Sequence, residues 1–539
     1  MTTPIRKIGY LLLASLLVLL DIQAQNPATR SIVVGIGQTS CGSGNRRVTN
    51  FEFNEPLNRL NKFSSDCNPD LSGPGFSTSN PAFSIFGALV DYNPKDNMIY
   101  YFRWVGTSTM VWRWPAGTCP TGGLAPIRTF SNANLTAAFD SDGNAWMVNM
   151  IQTGSNPVRH NLTLQRIDFT TGVLGTAVPE TLPPGVNIYQ KNGDFTITPG
   201  GLFYFAFDNK LMTMNYTDYG SLPIRATYID TIPLPSSNQH LIGLAYAGGQ
   251  FIASFVKSGT CIHSRINMLT GDRFTVTPNS TFSSFDNTSI TSGIGSAKRL
   301  VSLTPTGTAG EYDVVYDLHV KNYGNYPISN LQVFDTLSNI NGLANVVSAS
   351  ASLVSNPAGV ALNAAFNGTT NTRLLANSQT LKNFPLNENN FTIRITVRLR
   401  NILPGVIYNN SATATGTGFG STATGFGVDL RDVSTNGSNP DLNLNGKPDD
   451  SGESVPTPFV VTVAGEAPPC PAINRVLYSQ DFGAGGTSSA MPAGTSSAYT
   501  GATSNPLTEN RYMITSNPAN GNSNYWNSIP DHTGNSNGR

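Results

Sequence analysis

The 539-residue chain carries 32 Lys and Arg against 32 Asp and Glu, so its formal net charge is zero, and only 12% of its residues are charged. No basic excess is present to neutralise nucleic-acid phosphates or to hold an anionic membrane surface, which excludes partners of those two kinds. The length suggests several domains, and 52 Gly and 35 Pro in a chain that is still 39% hydrophobic point to short strands joined by turns rather than to disorder.

At the N-terminus, Arg6 and Lys7 precede an apolar run at residues 11–20, and Ile22 and Ala24 suit the positions ahead of a cleavage site. This is the pattern of an export signal over residues 1–24, with the exported chain starting at Gln25. The rival, an uncleaved anchor helix, needs roughly 20 apolar residues, and Asp21 interrupts the run. Nothing later in the sequence is long and apolar enough to span a bilayer after signal cleavage. The five cysteines of an exported chain favour disulfides over metal or redox chemistry. Cys41 with Cys67 is the first pairing expected and Cys119 with Cys261 the second, leaving Cys470 over.

Residues 25–296 contain a repeat. Its copies start at "FGALVDYNPKDNMIYYFRW", "LTAAFDSDGNAWMVNM", "GDFTITPGGLFYFAF" and "IGLAYAGGQFIASF". Each is an apolar strand, a polar turn, an aromatic-rich strand, a loop and a further strand. The interval of roughly 50 residues is that of a β-propeller blade. Blades bury their faces only against one another, so Tyr100, Trp146, Tyr204 and Phe251 are expected to fill the gaps between them. Asp91, Asp140 and Asp142 read as turn formers. Strands near Ser31 and Ser283 are available to close a ring from both ends of the domain.

From residue 297 the period changes. Tyr312, Val314, Tyr316, Leu318 and Val320 alternate with mostly polar neighbours, and Phe391, Ile393, Ile395, Val397 and Leu399 alternate with Thr and Arg. Alternation of this kind marks antiparallel strands with one wet face. Several such strands in residues 297–465 predict an immunoglobulin-like sandwich. The chain is thus read as all-β: a propeller-like domain, a sandwich, and an incomplete β module over residues 466–539.

Five segments, "AKRLVSLTP", "YDLHVKNYGNYPISNLQVFDTL", "FNGTTNTRLLANSQTL", "YNNSATATG" and "DVSTNGSNPDLNLNGKPDDSGESVPTPFVV", occur in order. Together they resemble the conserved-repeat domain of bacterial surface proteins, domain of unknown function eleven. The preceding region is similar to a propeller-like module often found before that domain. "YSQDFG" resembles the first strand of jelly-roll or lectin-like modules, and about 70 residues are too few to close such a sheet, so further chain is expected. The resemblance implies a secreted or outer-surface protein of a bacterium and carries over no catalytic residue.

"DLNLNGKPDDSGE" matches the start of a calcium loop, D-x-[DN]-x-[DN]-G. Asp441, Asn443 and Asn445 stand at alternating positions, Gly446 follows, and Asp449 holds the ninth place. Hard oxygen ligands at this spacing suit Ca²⁺. The twelfth place is Gly452 rather than Glu, and no helices flank the loop, so it is no EF-hand. A calcium loop inside a β-domain and a plain solvated loop both stand.

The sequence has no H-E-x-x-H, G-x-S-x-G or P-loop, and no histidines at metal-ligand spacing. The reading is therefore a non-catalytic structural or adhesion protein that binds glycans or surface and matrix proteins. The alternative is an extracellular glycan-active enzyme with its carboxylates in the propeller mouth.

Overall fold

The computed structural model describes residues 27–462, apart from 39–46, 56–57, 63–87, 106–107, 120–122, 132–135, 156, 170, 191, 216–223, 236–238, 258–259, 279–282, 378 and 420–429. The signal segment, Cys41, Cys67, Cys470 and the C-terminal module lie outside the described residues. No helix among the described residues is long and apolar enough to cross a membrane.

The chain opens with β1 (Thr29–Gln38), β2 (Arg47–Asn54) and β3 (Arg59–Lys62), an antiparallel meander. Four antiparallel blades follow. Blade one is β4 (Ala88–Asn93), β5 (Met98–Val105), β6 (Ser108–Pro115) and β7 (Arg128–Phe130). Blade two is β8 (Thr136–Phe139), β9 (Ala145–Ser155), β10 (Val158–Asp168), the short β11 (Val173–Leu174) and β12 (Val178–Thr181). Blade three is β13 (Gly193–Ile197), β14 (Leu202–Phe207) and β15 (Lys210–Asn215). After them β16 (Ile224–Arg225) pairs in parallel with β12, and β17 (Thr227–Thr231) completes the blade. Blade four is β18 (His240–Tyr246), β19 (Gln250–Lys257), β20 (Thr260–Asn267) and β21 (Arg273–Pro278).

Blade five is built from both ends of the domain. The first half of β22 (Ser283–Pro305) pairs with β1, in register from Thr29 opposite Gly293 to Gln38 opposite Ser283. These are the closing strands expected near Ser31 and Ser283. The inner strands β22, β4, β8, β13 and β18 each touch the next, and β18 returns to β22, so the ring is closed with five blades.

Every inter-blade gap holds its own apolar cluster. Val34 and Ile36 of blade five meet Tyr101 and Trp112 of blade one. Tyr100 and Phe102 meet Phe139 and Met147 of blade two. Trp146 meets Phe203 and Phe205 of blade three. Tyr204 meets Phe251 of blade four, and Ile252 meets Val33 and Phe51 of blade five. Successive strand residues face opposite sides, so Tyr100 and Tyr101 serve different gaps. Burial on both faces is the reason these strands read as continuous apolar runs rather than alternating ones.

The sandwich follows without a linker. At Ile294 the second half of β22 changes partner from β1 to β23 (Tyr312–Asn322). The chain continues through β24 (Ile328–Asp335), β25 (Val346–Ser355), β26 (Gln379–Leu381), β27 (Asn390–Leu399), β28 (Ile407–Asn410), β29 (Ala412–Thr417), β30 (Leu430–Val433), β31 (Thr435–Asn436) and β32 (Thr457–Val460). One sheet runs β22-β23-β27-β25, the other β26-β24-β29-β30, and β28 pairs with β32. Val314, Tyr316, Leu318 and Val320 face Val333, Leu381 and Phe459 in a single core. Residue 297, where the change of period begins, lies inside β22. Glycine permits the close approach at this joint: a Cβ on Gly324 would lie 2.1 Å from the Thr291 carbonyl oxygen.

Candidate functional site

The acidic loop after β31 folds on itself. The buried Asp441 carboxylate accepts hydrogen bonds from the backbone N–H groups of Asn445 at 3.1 Å and Gly446 at 2.8 Å. The Asn443 and Asn445 side-chain amides both donate to Asp450 Oδ2, at 2.9 and 2.7 Å. Glu453 accepts from the N–H groups of Leu442 at 2.6 Å and Asp450 at 3.1 Å. Of the four expected ligands, Asp441, Asn443 and Asn445 are brought together, with Asp450 between the two amides. Asp449 is not among them: its carboxylate turns to the Ala28 N–H at 3.1 Å, at the entry to β1. Asp450 and Glu453 fall at the tenth and thirteenth places, where a twelve-residue calcium template supplies no ligand. Among the described residues no group of three or more His, Cys, Asp or Glu is arranged to hold a metal ion.

A lysine lies in the same loop. Lys447 Nζ lies 2.7 Å from Glu55, 2.9 Å from Asp450 and 3.8 Å from Asp449. Burial alone would lower its pKa, but these carboxylates together hold it above the ordinary value. The Tyr246 hydroxyl of blade four donates to the Asn445 carbonyl at 3.1 Å. The loop is therefore a strut from the sandwich to blades four and five. Beside it opens a cleft of about 250 Å³, lined by Thr198 and Tyr246 of the propeller and by Lys321, Tyr323, Asn389 and Asn439 of the sandwich. Lys321 Nζ sits 4.9 Å from the Tyr323 ring centroid.

Three further carboxylates sit on the inner strands of the propeller. Asp286 of blade five accepts the Val90 N–H of blade one at 2.5 Å. Asp91 of blade one accepts the Phe139 N–H of blade two at 2.6 Å and the Thr288 hydroxyl of blade five. Asp194 of blade three accepts the Leu244 N–H of blade four at 2.8 Å. Asp194 and Asp286 also share a hydrogen bond across the ring, and Asp91 is close enough to oppose the ionisation of Asp194. Burial raises all three. Asp91 is pushed up to about 7, Asp194 to about 7, and Asp286 well above its ordinary value by burial and by Asp194. Buried His263 stays neutral, brought down to about 4 by desolvation.

Asp91 is thus not a turn former. It lies within β4 and reaches the next blade. Asp140 is one, taking the N–H groups of Asp142 and Asn144 at 3.0 and 2.8 Å and the Trp146 indole N–H at 2.9 Å. The signal that could have separated them is an acid inside an apolar strand, as in "ALVDYN" and "GDFTI".

No family model matches the chain, and no curated protein matches it. Solved structures similar to it include a GH43 glycoside hydrolase engineered to display both endo-xylanase and exo-arabinofuranosidase activity. That likeness has 12% identity and a TM-score of 0.32, and covers 77% of this chain and 91% of that one. An exo-β-1,3-galactanase from Phanerochaete chrysosporium is similar at 14% identity and a TM-score of 0.27, over 70% of this chain and 95% of that one. The Dos1 propeller is similar at 10% identity and a TM-score of 0.24, over 52% and 65%. The expectation that the chain is not an enzyme is corrected: glycoside hydrolases stand among the similar structures. The absence of a local motif is uninformative in such a ring, because the inner-strand carboxylates come from blades far apart in sequence.

Proposed function

We propose that this chain is an exported glycan-active protein that hydrolyses glycosidic bonds at the axis of its propeller. The observation that carries the reading is the convergence of Asp91, Asp194 and Asp286 from three blades. Glycoside hydrolysis needs a carboxylic acid to protonate the leaving oxygen and a carboxylate to act as base or nucleophile. The Asp194–Asp286 pair holds a proton at neutral pH and supplies the acid. Asp91, whose value of about 7 leaves an ionised fraction at neutral pH, supplies the carboxylate. The export pattern over residues 1–24 supports a substrate outside the cell or on its surface.

The test is reducing-sugar release from a panel of extracellular polysaccharides, with the Asp91→Asn variant beside the parent. Asn keeps an oxygen that accepts the Phe139 N–H, while its amide nitrogen faces the Thr288 hydroxyl, so the change removes the charge and reverses one hydrogen bond. Asp91→Asn is expected to lose roughly 100-fold or more of the activity with an unaltered circular dichroism spectrum. No release by the parent protein from any substrate would overturn the reading.

The junction cleft supports glycan binding as a second role. Tyr323 offers an aromatic face and Lys321 a cation, a pair that suits an acidic sugar. Tyr323→Ala is expected to weaken retention on uronic-acid polysaccharides without changing hydrolysis of a short substrate.

A further inference from the structure

Lys298, Asp335 and Asn410 are polar side chains buried against the apolar core of the sandwich. Lys298 on β22 and Asp335 at the end of β24 are both 0% exposed, with Nζ 2.5 Å from Oδ2. Asn410, at the end of β28, is 4% exposed, and its side chain lies against the same Asp335 carboxyl. The fit is incomplete: Asp335 Oδ1 and Asn410 Nδ2 are both buried without a well-formed hydrogen bond. The Tyr316 ring covers the amine, with Nζ 4.4 Å from its centroid. Thr457, opposite Asn410 in the β28–β32 ladder, donates its hydroxyl to the Lys298 carbonyl at 2.6 Å and ties the two strands together.

A buried ion pair is weak support for stability, since apolar residues of similar volume often do as well. Buried polar atoms left unpaired are a cost that calls for a cause. An amine, a carboxyl and a primary amide held together out of water have one obvious reaction available. Burial lowers the pKa of Lys298 and raises that of Asp335, which favours the neutral amine and the neutral acid.

We propose that Lys298 and Asn410 join in an intramolecular amide crosslink, with Asp335 carrying the proton. The Nζ lone pair attacks Asn410 Cγ and forms the Nζ–Cγ bond. The Cγ–Nδ2 bond breaks, and its electron pair leaves with Nδ2. Asp335 takes a proton from Nζ and delivers one to the departing nitrogen, so that one ammonia is released and Asp335 is regenerated. Nothing is oxidised or reduced, and no cofactor is needed. Fixed positions and exclusion of water supply the acceleration. The product ties β22, the strand that the propeller and sandwich share, to the β28–β32 ribbon.

The test is peptide mapping by tandem mass spectrometry on the folded full chain. The expected result is a branched peptide joining the segments of Lys298 and Asn410, lighter than their sum by one ammonia. Recovery of both segments as linear, unmodified peptides would overturn the proposal. A branch to Asp335 with loss of one water would overturn the choice of Asn410 as the electrophile. Lys298→Arg and Asp335→Asn, checked for folding by circular dichroism, are expected to give only linear peptides. A crosslink that persists in folded Asp335→Asn would remove Asp335 from the chemistry. Should neither variant fold, the map of the parent chain decides.

Discussion

Glu180 illustrates what a single residue can reveal. It lies on β12, opposite Ile224 of β16, is 5% exposed, and has no hydrogen-bond partner at either carboxyl oxygen. Desolvation pushes its pKa from 4.5 up to about 8. In the folded chain it is protonated at neutral pH, whereas in the unfolded chain it is ionised. Its contribution to stability is therefore fully present below the ordinary value and is lost as pH rises through about 8. Urea unfolding at pH 5 and pH 9 is expected to show a loss of stability in the parent chain that is smaller in Glu180→Gln. Equal losses in the two proteins would count against the assignment. Glu180→Leu is expected to gain roughly 1–3 kcal/mol at pH 9, where the burial penalty is greatest. In the adjacent class of effect, Trp112 is wholly buried between blades five and one. Trp112→Ala is expected to cost roughly 3–5 kcal/mol in the same assay, by leaving a cavity.

At the scale of elements, β22 carries the consequence. One continuous strand of 23 residues is the inner strand of blade five and the first strand of the sandwich. The two ladders meet at Gly293 and Ile294 of this one strand, so loss of order in one half frees the end of the other. Calorimetry is therefore expected to give one cooperative transition for propeller and sandwich together; two well-separated transitions would refute this coupling. Gly324→Ala tests the same joint, because the new Cβ meets backbone that cannot move aside. It is expected to lower stability by roughly 1–3 kcal/mol.

For the whole molecule, the acidic loop is a fixed brace. Lys447 gathers Glu55 of the propeller with Asp449 and Asp450 of the loop, and Asp449 anchors the start of β1. Its ammonium and a calcium ion would compete for the same carboxylates. Lys447→Met is expected to lower the melting temperature in chelator and to gain more from millimolar calcium than the parent does. Equal calcium responses in the two proteins would separate the lysine from any cation site. The loop connects the two halves through Glu55 and Ala28 while β22 connects them through the ladder, and the loop forms one wall of the cleft.

The class of the fold was legible in the sequence because its signals are local. Period-two alternation in "YDVVYDLHVKN" and "NFTIRITVRL" needs only neighbouring residues to reveal a half-wet sheet. The repeated aromatic-rich strands likewise announced blades and the burial of Tyr100, Trp146, Tyr204 and Phe251. Blade number and ring closure were not legible, since Thr29 pairs with Gly293 and no local pattern encodes a partner so distant. Nor was the continuity of β22, because the change of period at residue 297 marks a change of neighbours, not a break in the strand. The loop's composition was visible, but the tertiary structure turned Asp449 to the Ala28 N–H and placed Asp450 between the amides. Asp91, Asp194 and Asp286 could each be read off the chain. Their meeting could not, because a carboxylate's role is set by the N–H groups and charges that other blades bring within a few ångströms of it.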